Sequence, residues 1–158
     1  MKSTGYRLQD EPAPGILSNL CVNPLWPFFA IMFCGTWFSW PWFIFNGFAI
    51  GSPTRFRELL YAVLGFVGNF LIVSGILVLA YKKILSGYGI EYVLILLTIW
   101  KLGITYFLFV LQSRTFHIYE YYGGTVKNGL FPIIFCSFLL KGPLFNAIGR
   151  NIFSWVLR

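Results

Sequence analysis

The sequence predicts an all-α integral membrane protein. It reads as a four-helix transmembrane bundle, the fourth segment short or kinked, followed by a C-terminal amphipathic helix in the interface. Three observations carry this reading. Of the 158 residues, 58% are hydrophobic and only 11% charged, whereas a soluble domain carries about 25% charged residues; so few charges do not hold a surface in water. The apolar residues form continuous runs rather than the alternation of a transmembrane β-barrel. The basic residues Lys2, Arg7, Arg55, Arg57, Lys82, Lys83, Arg114, Lys127, Arg150 and Arg158 stand singly or in pairs at the ends of those runs, where helices are anchored at lipid headgroups.

The net charge of +7 belongs to that anchoring pattern. No basic arm or nucleic-acid motif accompanies it, so nucleic acid is excluded as a partner and the lipid bilayer is the expected one. Cys21, Cys34 and Cys136 are far apart, with no C-x-x-C and no metal-ligand spacing. They read as small hydrophobes. No cofactor and no metal are expected.

Residues 1–23 form a polar N-terminal tail, without the apolar core of a secretory signal. The membrane domain spans 24–143. Its first segment covers 25–50, its second 59–81 and its third 92–111, each about 20 residues or more, enough for a hydrocarbon core of ~30 Å. In lipid these segments must be helical, because nothing else satisfies the backbone. In "GSPTRFRE", Ser52 suits a helix cap and Pro53 the first helical position, which places Arg55, Arg57 and Glu58 at the interface. Short connections make the first three segments an antiparallel unit.

Residues 112–128 form a longer loop, with a turn at Gly123–Gly124. The fourth segment runs over 129–143, or to 149. Its apolar core "LFPIIFCSFLL" is short of a span and Pro143 follows it, so a kinked crossing is expected, with a re-entrant segment as the alternative. In 144–158, Leu144, Phe145, Ile148, Ile152, Trp155 and Val156 gather on one side, with Asn146, Arg150, Asn151, Ser154 and Arg158 on the other. That is an amphipathic interfacial helix. With four crossings, the distribution of Lys and Arg puts both termini in the cytoplasm.

Polar residues inside the spans are the site candidates. Lys101 lies mid-segment, where a lysine costs about 2.5–3.5 kcal/mol. Thr98, Thr105 and Gln112 share its face at helical spacing. On the second segment Ala62, Gly65, Gly68, Asn69 and Gly75 make a stripe of small residues with one amide, a surface for close helix approach. Asn69 and Lys101 are expected at similar depth, with Trp40 of "GTWFSWPWFIFNG" as a cation–π partner. Gly47 and Gly51 form a G-x-x-x-G beside Asn46, again a close-packing signal. The remaining aromatics of that stretch occur all round the helix and read as lipid-facing or packing groups rather than an aromatic cage.

His117 and Glu120 are three residues apart and are weak candidates for metal ligands or an acid–base pair. No nucleophile–base pair, phosphate loop or H-E-x-x-H motif is present. The function expected is therefore that of a small polytopic, non-catalytic accessory or assembly subunit, associated with other membrane subunits or with copies of itself. The alternative is a small oligomeric channel or transporter for anions or anionic lipid headgroups, with Lys101 in the path.

Overall fold

The computed structural model describes residues 11–83, 88–140, 142–143 and 146. The expected polar tail before residue 11 and the amphipathic helix over 144–158 lie outside the described residues, apart from position 146. The described chain is helical: a 3-10 turn Ile16–Leu20, then α1 (Leu25–Phe33), α2 (Thr36–Ile50), α3 (Arg55–Tyr81), α4 (Tyr88–Tyr121) and α5 (Leu130–Phe135), which continues as a π turn over Cys136–Leu140. Two helices, α3 and the Gly89–Tyr121 part of α4, are long and apolar enough to cross a membrane.

The first apolar segment departs from expectation. It is not one helix over 25–50 but two, folded back on each other at Cys34–Gly35. Gly35 has φ 97° and ψ −177°, a backbone region open essentially to glycine alone. Four hydrogen bonds trace the antiparallel hairpin from its apex outward: Ser39 Oγ donates to the Pro27 carbonyl at 2.7 Å, Asn46 Nδ2 to the Val22 carbonyl at 2.9 Å, and the amides of Gly15 and Ala13 to the carbonyls of Ala49 and Gly51, each at 3.2 Å. Residue 13 therefore lies at the same end of the molecule as Gly51. With 9 and 15 residues, the two arms extend only about 13 and 22 Å.

The next helices line up against α2 by close contacts at glycine. Gly47 faces Glu58, and Gly65 faces both the Trp40 ring and Ile104. Gly68 faces the Trp100 ring. These pairs make α2, α3 and α4 successive antiparallel neighbours. A Cβ on Gly65 would lie 2.8 Å from the Trp40 ring and 2.9 Å from Ile104, so only glycine admits both neighbours at that spacing. Gly75 differs: no described atom lies within 4 Å of a Cβ built there. By the same alignment Thr36 stands near Asn69, and the last 12 residues of α3 run about 18 Å past the hairpin apex, accompanied among the described residues by α4.

Helix boundaries shift as well. α3 begins one turn before the expected residue 59. α4 carries on ten residues past 111, so the expected loop over 112–128 is largely helix, and Gln112, His117 and Glu120 belong to α4. α5 starts beside α1: Trp26 packs on Gly129, and the Cys34 thiol lies 3.7 Å from the Ile133 carbonyl. Together α5 and its π turn measure 11 residues, about half the hydrocarbon thickness.

Candidate functional site

The polar groups of the bundle converge on one carboxyl. Glu58, in the first turn of α3, is fully buried. Its Oε1 accepts from Ser52 Oγ at 3.0 Å and from Thr54 Oγ1 at 2.8 Å, and its Oε2 accepts from Gln112 Nε2 at 2.8 Å. Gln112 Nε2 also donates to the Phe43 carbonyl of α2 at 2.8 Å, and its Oε1 accepts from Asn46 Nδ2 at 3.4 Å. Asn46 in turn holds both the N–H and the carbonyl of Val22. Thr115 closes the outer edge through Ser52 at 3.4 Å. One connected network thus ties the segment before α1, α2, the α2–α3 turn, α3 and α4.

Local sequence explains how the carboxyl fits. A Cβ on Gly47 would collide with Glu58 Oε2, so glycine at this position opens the space between α2 and α3 that the carboxyl fills. The α2–α3 turn needs Gly51, which has φ 68° and lies against the Ala13 carbonyl. Ser52 does not cap α3 as expected. The helix begins at Arg55, with Thr54 before it and no side-chain cap, while Ser52 Oγ turns to Glu58 and receives the Thr54 amide at 3.2 Å. A buried acceptor left unmet would cost about 1–3 kcal/mol; three side chains and a tight turn are arranged to meet this one.

A second polar contact lies deeper. The Trp40 indole N–H donates to Thr105 Oγ1 at 2.9 Å, and the Thr105 hydroxyl donates to the Lys101 carbonyl at 2.8 Å. Trp40 is fully buried, edge-on to Phe66 with centroids 4.6 Å apart. The link from this contact to Lys101 runs through its backbone carbonyl. Of the expected stripe, Gln112 and Thr105 are fully buried, Lys101 is half-buried and Thr98 is exposed, its hydroxyl turned back to the Leu94 carbonyl at 2.9 Å. The gradient follows the α1–α2 hairpin, which covers α4 at Gln112 and Thr105 and stops before Thr98. Asn69 is buried, and since Gly68 meets Trp100, Asn69 and Lys101 stand at one level.

His117 and Glu120 lie 3.9 Å apart on the outside of α4, with side chains 73% and 56% exposed. Among the described residues no group of three or more His, Cys, Asp or Glu side chains is placed to hold a metal. Cys21, ahead of α1, is buried, and burial pushes its thiol up to about 11, so the unreactive protonated form prevails at neutral pH.

Sequence reasoning placed Glu58 at the interface, used Asn46 only as a packing neighbour and did not single out Thr54 or Thr115. One signal was available. Glu58 is the only acid between residues 12 and 90, and Thr54 precedes it by one helical turn. Comparison with known protein families, curated proteins and solved structures returns no match to this chain.

Proposed function

We propose that this chain is a multi-pass membrane protein that serves as a non-catalytic accessory or assembly subunit, its partners being other membrane-embedded helices. The observation that carries this reading is the far half of the α3–α4 pair, which no other described helix covers. There Gly75 has open space around it, Thr98 is exposed and Lys101 is half-buried. Polar groups at membrane depth are costly when they face acyl chains, and a small-residue face accepts a close helix. A partner helix lying along this half meets both conditions. The saturated carboxyl at Glu58 supports the same reading. It is sealed from any substrate, and its hydrogen bonds hold the hairpin to α3 and α4.

In this reading α3 and α4 cross the bilayer and α1–α2 is a re-entrant hairpin. Residue 13, the α2–α3 turn and the end of α4 then share one surface. Arg55, Arg57, Arg114 and Lys127 lie on that side, and Lys82 and Lys83 lie on the other. The balance makes the Arg55 side cytoplasmic.

Gentle detergent extraction followed by crosslinking and sizing tests the proposal. The chain is expected in an assembly larger than its own 18.2 kDa plus micelle, with crosslinks from the Gly75–Thr98 region. Recovery as a lone monomer under the mildest extraction overturns it.

A further inference from the structure

A groove of about 530 Å³ opens on the outer side of the α1–α2 hairpin, within the size range of small-molecule sites. Its walls are Trp37, Phe38, Pro41 and Trp42 of α2, with Pro132 of α5 opposite. Among the described residues Lys127 is its one charged lining residue, and no acid lines it. Lys127 is held in place by its backbone, whose amide donates to the Cys21 carbonyl at 2.8 Å as part of a parallel bridge between Val22 and Lys127.

Position along α2 gives the groove a polar and an apolar end. Val22 is bonded to Asn46, so Lys127 stands near the Asn46 level. Trp42 to Trp37 lie four to nine residues nearer the hairpin apex, about 6–14 Å deeper. A cation at the headgroup level above a wall of aromatic and proline rings matches one class of occupant in both charge and depth. The geometry points to a binding site for an anionic phospholipid, its phosphate at Lys127 and one acyl chain along Trp42, Pro41 and Phe38. The chain's own C-terminal stretch is a poorer occupant, because it carries Arg150 and Arg158 and no acid and would bring like charge to Lys127.

The site rests on the membrane reading above, and the experiment separates the two. The full chain is reconstituted in phosphatidylcholine vesicles containing a minor fraction of chain-brominated phosphatidylglycerol or, in parallel, chain-brominated phosphatidylcholine. Tryptophan fluorescence is then read. The anionic lipid is expected to quench more strongly at equal fraction. Trp37→Phe with Trp42→Phe removes that excess. Lys127→Gln, a change at an exposed side chain that leaves the backbone bridge intact, lowers the preference about fivefold, the effect of one lysine near a membrane surface. Lys82→Gln with Lys83→Gln, at the opposite end of α3, leaves it unchanged. Equal quenching by the two lipids overturns the site, as does an excess that survives Lys127→Gln. Absence of quenching by either lipid overturns the membrane reading itself.

Discussion

A methyl group at position 47 would take the place of Glu58 Oε2, so the fit between α2 and α3 depends on a hydrogen atom there. Gly47→Ala is expected to cost about 1–3 kcal/mol through overpacking and displacement of the carboxyl from its donors. Gly75→Ala, made in open space, is expected to be neutral or to stabilise by up to about 1 kcal/mol, the helix preference of alanine. Thermal unfolding in detergent compares them, and equal shifts would contradict the contact. The same scale shows what the sequence made legible in the site. Trp40, Asn69, Thr105 and Gln112 stood out because lipid drives polar groups on an apolar helix to face protein. Glu58 and Asn46 did not. A carboxyl in a first turn fits an interfacial position as well as a buried one, and only the three-dimensional approach of Gln112 decides between them.

Among the elements, the α1–α2 hairpin was the least readable. A mostly apolar run of 26 residues has the same composition whether it crosses once or doubles back, and Trp and Phe line both arms. The difference lies in one backbone conformation at Gly35, which hydropathy does not register. Gly35→Ala is expected to lose about 1–3 kcal/mol, since an L side chain resists φ 97°. The loss is read as a lower denaturant midpoint in mixed micelles, and full retention of stability would mean the turn does not need glycine. The helices α3 and α4 were readable because each is a long unbroken apolar run. Their ends were less so: the polar residues after 111 suggested a loop, yet Gln112 and Thr115 are buried inside the continuing helix.

At the scale of the whole molecule, a re-entrant α1–α2 hairpin, as proposed above, would change which surfaces share a compartment. Cysteines placed at the exposed positions Ala13, Arg57 and Lys83 should label with an impermeant maleimide from two sides, the first two together and the third opposite. Ala13→Cys and Arg57→Cys reacting from opposite sides would restore a single crossing over 25–50. The network also sets an order of events in the cell. Asn46 finds its Gln112 partner 66 residues further along the chain, which a ribosome working at about 5–20 residues per second supplies only several seconds later. Until then the Asn46 side chain has Val22 as its partner and its bond to Gln112 is unmade. The hairpin can therefore be locked to α4 only after α4 has been made.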